Sequence, residues 1–243
     1  MSKWIREAAN GNLTPTGAEA KPAATVAVLR DGARGLEVLM GRRSSKMNFH
    51  GGAWVFPGGR VDDADWAGAA DELDAARIAA AREANEEAGV LVHARSLVHV
   101  SNWTTPDISP KRFATWFFAG PLGEGSAEAV ADGVESDALR WFEPEEALAA
   151  RAEGEIDLAP PQFVTLVLLT RFVDVTSALT AIDAEPSFDF QPKIHFGDGF
   201  GVAIYAGDVA YVDQSRLDDP SPRHRLTMPR DGAWSYEYHP QIR

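Results

Sequence analysis

Three glutamates on one helical face constrain this chain more than any other feature of its sequence. In the run REANEEAGV, which starts at Arg82, Glu83, Glu86 and Glu87 stand at positions i, i+3 and i+4, so an α-helix would place their carboxylates together. Like charges at this spacing destabilise a helix by roughly 0.2–0.5 kcal/mol per pair. Divalent cations such as Mg²⁺ favour oxygen ligands and keep water molecules for substrate phosphates. The pattern therefore indicates a metal-dependent enzyme that acts on a phosphate compound.

The charge and composition limit which partners the chain binds. Its 243 residues carry a formal net charge of −13, which disfavours nucleic-acid polymers and anionic membranes because both require a basic surface. The negative net charge does not exclude a small polyanionic substrate, since a bound metal ion and local arginines can make the electrostatic potential of one cleft positive. The absence of cysteine excludes disulfides, thiolate metal sites and a cysteine nucleophile. With no apolar run of about 18 residues and no signal-peptide core in residues 1–12, we expect a cytoplasmic protein.

Periodicity and turn residues predict a mixture of strands and helices. Apolar runs around Asp31 and Gly32 predict a β-hairpin over residues 25–43. A helix is predicted from Leu73 to Ala88, with Gly89 as its C-terminal cap. Later elements are predicted as strands over 91–103, 112–122 and 139–142, a helix after Pro144 and one long helix over 160–182. We expect a loosely held lead-in (1–22), one main domain (23–185) and an extension of short strands packed on that domain (186–243).

The glutamate run and the FPGG turn before it resemble the Nudix hydrolase family. FPGG spans Phe56 to Gly59, and REANEEAGV matches the family's Arg-Glu-apolar-x-Glu-Glu-x-Gly-apolar element at every specified position. The resemblance extends over about residues 23–180. It implies an α/β (α+β) fold, an α/β/α sandwich around a mixed β-sheet, here with a C-terminal helix and short-strand extension. It also implies hydrolysis of a diphosphate joined to a second group X, with Mg²⁺ or Mn²⁺ as cofactor.

The middle of the motif departs from the family's usual spacing. Arg82 lies 23 positions after Gly59, nine more than the family's Gly-x5-Glu-x7-Arg spacing gives. Counted from Gly59, the first acidic position holds Asp65; counted back from the helix, Asp74 occupies that place instead. The resemblance implies a mainly structural role for this acid. A longer box of this kind resembles a subgroup that includes peroxisomal coenzyme A diphosphatases.

The resemblance assigns a role to each matching residue of the box. Glu83, Glu86 and Glu87 are the expected metal ligands, and the Gly59 carbonyl is an additional one. Arg82 is expected to orient the carboxylate face through a salt bridge, whereas a solvated helix charge is the simpler alternative. We expect Glu86 and Glu87 to lie on an exposed face, so that substitution of either would lower turnover and leave the fold intact.

One further carboxylate is expected from a loop after the third main strand, as a metal ligand or as a base. Glu135, in the segment before Trp141, is the candidate. Asp132 and Asp137 are its competitors, and an ordinary loop acid is the alternative.

Basic residues that precede the box are candidates for substrate binding. Arg42, Arg43 and His50 lie on the segment that enters the box, and Arg112 begins a later strand. Phosphates or a 3′-phosphoadenosine group would be their ligands, although ordinary surface charge explains the two neighbouring arginines equally well. The segment before FPGG also loosely resembles a coenzyme A-associated element of Nudix enzymes, except that Asn48 stands where a basic residue is expected.

Two other clusters have simpler interpretations. Trp103, Phe113 and Trp116 would stack on an adenine, yet aromatic residues in strands are more often part of the core. Arg223, His224 and Arg225 form a basic cluster in the tail, and we expect this cluster to lie on the solvated surface.

The favoured hypothesis is a divalent-metal diphosphatase whose small-molecule substrate is coenzyme A or acyl-coenzyme A. An ADP-sugar or dinucleotide is the alternative substrate. A ligand-sensing Nudix domain without turnover is the alternative from another class, and the intact set of Glu83, Glu86 and Glu87 disfavours it. The extension 186–243 is also a candidate interface for a homodimer.

Overall fold

The computed structural model of the protein describes residues 17–44, 51–126 and 136–239. They form two compact units. The box unit comprises the described residues within 21–102 and 115–188, and the tail unit comprises those within 17–20, 103–114 and 189–239. The expected packing of the extension on the main domain stays a prediction.

Strands outnumber helices in the described part of the chain. The strands are β1 (Lys21–Asp31), β2 (Leu36–Arg43), β3 (Ala53–Val55), β4 (Gly58–Arg60), β5 (Val98–Thr104), β6 (Phe113–Pro121), β7 (Ser136–Phe142), β8 (Asp157–Leu158), β9 (Phe188–Phe190), β10 (Lys193–Gly197), β11 (Phe200–Ile204), β12 (Arg223–Pro229) and β13 (Ser235–His239). The helices are α1 (Glu72–Ala88), α2 (Pro144–Ala152), α3 (Pro160–Leu169) and α4 (Val175–Ala184).

A nine-stranded mixed sheet contains β1 to β9. Its order is β8-β3-β2-β1-β6-β5-β9, with β4 paired to β1 and β7 paired to β2. The predicted hairpin is present, because β1 and β2 pair antiparallel, whereas β3 and β8 pair parallel. Strand β1 is buried without interruption from Ala23 to Leu29, which indicates that both faces of the sheet are covered along it.

Helix α1 carries the glutamates and packs on β1 and β4. It begins after Asp71, whose side chain accepts a hydrogen bond from the Asp74 amide, and it ends at Gly89, which has a φ of 67°. Its buried face consists mainly of alanines, and these pack in one core cluster with Val26 and Phe118. Short alanine side chains allow close packing of a helix on a sheet, and the polar face of α1 contacts the FPGG turn through Glu87 and the Gly58 amide.

The predicted long helix over 160–182 is wrong, because two helices occupy this region. Helix α3 ends at Leu169 and α4 begins at Val175. Asp174 separates them: its side chain accepts a hydrogen bond from the Ser177 amide at 2.7 Å and so caps α4. An aspartate that bonds to the backbone in this way favours a helix start over a helix interior.

Strands β10 to β13 form an antiparallel sheet in the tail unit, in chain order. The short strands predicted for the extension 186–243 are therefore confirmed. The core interpretation of Trp103 is also correct, since its ring is buried and stacks on Phe190 with the centroids 4.0 Å apart. Among the described residues, no helix combines the length and the apolar character needed to cross a membrane.

The basic run of the tail is not solvated surface as expected. Arg225 is only 3% exposed, and its Nε and Nη2 each donate to the buried carboxylate of Asp208 at 2.7 Å. Asp208 also accepts hydrogen bonds from the amides of His224 and Ala210. Burial alone would raise the pKa of Asp208, but these hydrogen bonds and the charge of Arg225 lower it. The buried charges are tolerated because both partners are extensively hydrogen-bonded.

Candidate active site

The FPGG turn is fastened to β1 by backbone contacts. The amide of Val26 donates to the Pro57 carbonyl at 3.0 Å, and the Thr25 hydroxyl donates to the same oxygen at 2.7 Å. A Cβ on Gly58 would lie 2.5 Å from the backbone oxygen of Ala24, so this position requires glycine. These contacts fix the FPGG turn, and the strand β4 that follows it, against β1 of the sheet.

Glu87 joins α1 to this turn. Its Oε2 accepts a hydrogen bond from the Gly58 amide at 3.0 Å, and the residue is only 8% exposed. The expectation that Glu86 and Glu87 share an exposed face is therefore wrong for Glu87. The side chain of Glu86 is 58% exposed. The difference follows from packing, because β4 covers only one side of the helix end.

Glu83 lies against the backbone of the turn. A Cβ on Gly59 would be 2.3 Å from Oε1 of Glu83, a separation that real atoms do not adopt. Glycine at this position therefore makes room for the carboxylate beside the main chain.

Arg82 connects the helix carboxylates, as the predicted salt bridge requires. Its Nη1 donates to Oε1 of Glu83 and to Oε2 of Glu86, both at 2.9 Å. Its Nη2 donates to the Arg60 carbonyl at 3.0 Å, at the end of β4. One guanidinium thus orients two of the three glutamates relative to the turn.

Asp65 is the partner that holds this guanidinium. Its Oδ1 and Oδ2 accept from Nε and Nη2 of Arg82 at 3.0 and 2.8 Å, and the residue is 2% exposed. The hydrogen bond from Arg82 lowers the pKa of Asp65 although burial opposes it, and the hydrogen bond to Asp65 is the main cause that raises the pKa of Arg82. Paired groups of this kind shift their pKa values in opposite directions.

Asp74 does not contact Arg82 in this way. Its Oδ2 accepts from the Ala70 amide at 3.1 Å and closes the loop before α1. The placement of the first acidic residue at Asp74 is therefore corrected to Asp65, which stands six positions after Gly59. The extra residues of the box follow Asp65 and extend to the start of α1. The spacing from Gly59 was the signal that identified the contact residue.

The types of donor atom in this site, carboxylate and carbonyl oxygens, are those that a hard divalent cation prefers. Within the described ranges, no three or more His, Asp or Glu side chains converge closely enough to hold a metal ion. Glu83 and Glu86 instead share Nη1 of Arg82, so a positively charged group already neutralises both. Carboxylates and a backbone carbonyl are the oxygen ligands that Mg²⁺ and Mn²⁺ prefer. The side chain of Glu86 is exposed, so its rotation away from Arg82 would free a carboxylate oxygen.

The predicted substrate-binding residues are distributed over both units. On β2 of the box unit, Arg42 donates from Nε to Oδ1 of Asp137 at 2.6 Å. In the tail unit, Arg112 donates to the backbone carbonyls of Thr105 at 3.0 Å and Ala18 at 2.8 Å. These two arginines thus already have protein partners.

Of the remaining predicted residues, only some lie in the part of the chain that the structure describes. Arg43 ends β2 and is partly buried. His50, Glu135 and Asp132 lie outside the described residues. Asp137, the other competitor of Glu135, is the partner of Arg42.

Comparison with known proteins decides the family. The sequence model of the NUDIX domain matches residues 20–162. The chain belongs to the NUDIX family. Nudix hydrolases act on diphosphate bonds and generally use a divalent metal ion, so this protein is a hydrolase of diphosphate bonds in small molecules.

Two relatives support this assignment. A Caenorhabditis elegans protein named "Putative nudix hydrolase 7" is 27% identical over 218 residues, which cover 75% of this chain and 72% of that protein. The crystal structure of a NUDIX hydrolase from Alicyclobacillus acidocaldarius has a TM-score of 0.62 at 26% identity, and the match covers 70% of this chain and 100% of that chain. The likeness confirms the predicted α+β fold.

Proposed function

We propose that this Nudix hydrolase cleaves the diphosphate linkage of a nucleoside diphosphate joined to a group X. Glu83, Glu86, Glu87 and the Gly59 carbonyl hold Mg²⁺ or Mn²⁺. The observation that supports this most strongly is the contact of Glu83 and Glu86 with one guanidinium nitrogen, directly beside the Gly59 backbone. Two carboxylates that already share one positive group are suited to share a metal ion.

The reaction requires water to add to a phosphorus atom that negative oxygens surround. A metal ion held by Glu83, Glu86, Glu87 and the Gly59 carbonyl would neutralise those oxygens and would lower the pKa of a water bound to it. The bridging P–O bond breaks, and the products are two phosphate monoesters.

The residues of the chain have distinct tasks in this proposal. Asp65 holds Arg82, and Arg82 orients Glu83 and Glu86. Glu87 is kept in place by the Gly58 amide, so one of its oxygens is positioned before any ligand binds. Glu135 supplies the additional carboxylate, as a ligand or as the base. The contacts of Arg82 with Asp65 and Glu83, and of Glu87 with the Gly58 amide, involve buried or partly buried groups, so this part of the site is preorganised.

Coenzyme A or an acyl-coenzyme A is the preferred substrate in this proposal. The nine extra residues of the box and the segment that precedes FPGG support it by resemblance. Arg42, Arg43 and His50 would bind its phosphates, and Arg112 of the tail unit is a separate candidate. An ADP-sugar or dinucleotide is the second candidate. The ion pair of Arg42 with Asp137 favours it, because Asp137 already neutralises an arginine that would otherwise bind the 3′-phosphate of coenzyme A.

Product analysis separates these candidates. Purified protein is incubated with Mg²⁺ and coenzyme A, dephospho-coenzyme A, ADP-ribose or a diadenosine polyphosphate, and products are identified by mass. Release of 3′,5′-ADP and phosphopantetheine supports the first candidate, and release of AMP from ADP-ribose supports the second. Tight binding without cleavage of any compound would instead indicate a ligand-sensing domain. A Glu86→Gln preparation, purified identically, reports cleavage by contaminating hydrolases.

A further inference from the structure

One peptide group connects strand β1 to a glutamate of the carboxylate cluster. This group joins Pro57 to Gly58 in the FPGG turn. Its carbonyl oxygen accepts hydrogen bonds from the amide of Val26 at 3.0 Å and from the hydroxyl of Thr25 at 2.7 Å. Its N–H donates to Oε2 of Glu87 at 3.0 Å. Because a trans peptide is planar, and its C=O and N–H point in opposite directions, the orientation of the carbonyl also sets that of the N–H.

The hydroxyl of Thr25 is the side-chain group that holds this peptide. Thr25 is 6% exposed. Its Oγ1 lies 2.7 Å from the Pro57 oxygen and 3.2 Å from the Phe56 oxygen, so the one hydroxyl proton is directed mainly to Pro57. Thr25 is paired with Gly58 across β1 and β4, and a Cβ on Gly58 would lie 2.6 Å from the Cα of Thr25. The threonine therefore lies directly against the peptide to which it donates.

Hydrogen bonds at the two ends of one peptide strengthen each other. A carbonyl that accepts hydrogen bonds polarises its peptide group, and the polarised N–H becomes a better donor. The acceptor of this N–H is the carboxylate of Glu87, which is 8% exposed. A hydrogen bond to a charged acceptor is stronger in such a buried place than in water. The Thr25 hydroxyl thus acts on Glu87 through the peptide that separates them.

We propose that Thr25 is a positioning residue for the metal ligand Glu87. This inference rests on the proposed function, in which Glu87 helps to hold Mg²⁺ or Mn²⁺. Thr25 fixes the plane of the Pro57–Gly58 peptide and strengthens its N–H, and this N–H holds the carboxylate of Glu87. Removal of the hydroxyl leaves the turn attached to β1 through the Val26 amide, but it weakens the hydrogen bond that orients Glu87.

The sequence allows this peptide to be observed by itself. Pro57–Gly58 is the only proline–glycine pair among the 243 residues. Protein labelled with ¹³C at the proline carbonyls and with ¹⁵N at glycine therefore gives one carbonyl–amide correlation in triple-resonance NMR. In metal-free Thr25→Val, the Pro57 carbonyl carbon and the Gly58 amide proton are both expected to shift upfield, because weaker hydrogen bonds deshield these nuclei less. Thr25→Ser should return both shifts towards the wild-type values.

Thr165→Val is the matched control for this experiment. Thr165 is 3% exposed, and its hydroxyl donates to the carbonyl of Pro161 at 2.9 Å within helix α3. This variant loses the same kind of bond, from a buried threonine to a proline carbonyl, and should leave the Pro57–Gly58 signal unchanged. If Thr25→Val shifted the Pro57 carbonyl carbon but not the Gly58 proton, Thr25 would only brace the turn, and the proposal would be overturned.

Binding of Mn²⁺ tests the consequence for the metal ion without any substrate. Free Mn²⁺ is measured by electron paramagnetic resonance in titrations of wild type, Thr25→Val, Thr25→Ser and Thr165→Val. Groups that orient a metal ligand typically contribute roughly 10–100-fold to metal affinity. We therefore expect a dissociation constant about tenfold higher in Thr25→Val, and within about twofold of wild type in the other two variants.

The outcomes separate this inference from the proposed function. Wild-type protein that binds Mn²⁺ no more tightly than Thr25→Val would overturn the role of Thr25 alone. Wild-type protein that binds no Mn²⁺ would refute the metal assignment of the proposed function, and the role of Thr25 with it. A weaker affinity of Thr25→Val that Thr25→Ser does not restore would show that the hydroxyl is not responsible, which also contradicts the proposal.

Discussion

The guanidinium of Arg82 and the carboxylate of Asp65 form a two-point ion pair, with Nε–Oδ1 at 3.0 Å and Nη2–Oδ2 at 2.8 Å. Two parallel hydrogen bonds fix the plane of the guanidinium as well as its position. The third nitrogen is then aimed at Glu83 and Glu86. The residue that precedes the extra residues of the box thus holds the guanidinium that orients Glu83 and Glu86.

Asp65→Asn is expected to destabilise the protein by about 1–3 kcal/mol, because it removes the charge from a buried acceptor of Arg82. The matched control is Asp74→Asn, which changes a partly exposed acceptor and should stay within about 0.5 kcal/mol of wild type. Urea-induced unfolding at pH 7 measures both. If Asp74→Asn lost more stability than Asp65→Asn, Asp74 would be the main structural acid of the box instead.

Glu86→Gln and Glu87→Gln should separate activity from stability. Each is expected to lower kcat by at least about a hundredfold, the size of effect seen when one charge-stabilising group at a reaction centre is removed. Only Glu87→Gln should also lower the free energy of unfolding, by about 1 kcal/mol, since it weakens the hydrogen bond from the Gly58 amide. Kinetics and thermal unfolding are measured on the same preparations. An equal loss of stability in both variants would argue against the different environments of the two side chains.

Gly59→Ala is expected to impair catalysis because its Cβ would displace the Glu83 carboxylate. A shift of about 1 Å at a reacting site costs about a hundredfold in rate, and we expect a loss of that order in kcat/KM. The control is Gly201→Ala on β11, where the nearest atom to a Cβ is 3.8 Å away. If Gly59→Ala retained the wild-type rate, Glu83 would not need its position beside the turn.

The stability of the tail unit should fall as the pH drops below about 6.5. Burial lowers the pKa of His224, against the opposing effects of its hydrogen bond with the Ala206 carbonyl and the charge of Asp208. The unfolded chain therefore binds a proton at higher pH than the folded chain, so the contribution is complete above the unfolded pKa and declines as the pH falls through that value towards the folded pKa.

Amide hydrogen exchange of β12, corrected for intrinsic rates, measures this effect between pH 7 and pH 5. Replacement of His224 by Gln should flatten the dependence. The control is His195→Gln on β10, a residue that is partly exposed and hydrogen-bonded to Gln214. The interpretation would be wrong if the wild-type dependence persisted in His224→Gln.

Local features of the site were predictable from the sequence. The start and end of α1 follow from Asp71 and Gly89, whose backbone and capping roles depend on near neighbours. The turn at FPGG and the spacing of the three glutamates are equally local. These features placed the carboxylate cluster and indicated its chemistry.

Contacts between distant segments were not predictable in the same way. The position of the first acidic residue was ambiguous because the count from Gly59 gives Asp65 and the count back from α1 gives Asp74, and the sequence does not show which residues between them are inserted. Glu87 was expected to be exposed because helical spacing does not report the β4 backbone that covers it. Arg225 appeared solvated because its partner Asp208 lies 17 residues away and becomes adjacent only through the fold of the tail unit.

The most direct test of the metal assignment is the rate of diphosphate cleavage. It is measured for wild type and Glu86→Gln, each with Mg²⁺ and with excess EDTA. Coenzyme A, dephospho-coenzyme A, ADP-ribose and a diadenosine polyphosphate are the substrates, and the products are identified by mass. With Mg²⁺ we predict two phosphate monoesters from a diphosphate that wild type cleaves, or a nucleotide and a nucleoside polyphosphate from a diadenosine polyphosphate. The rate is expected to be at least about a hundredfold lower after chelation or in Glu86→Gln. Cleavage that persists at near-normal rates with EDTA, or in Glu86→Gln, would contradict the assignment of the metal to this carboxylate cluster.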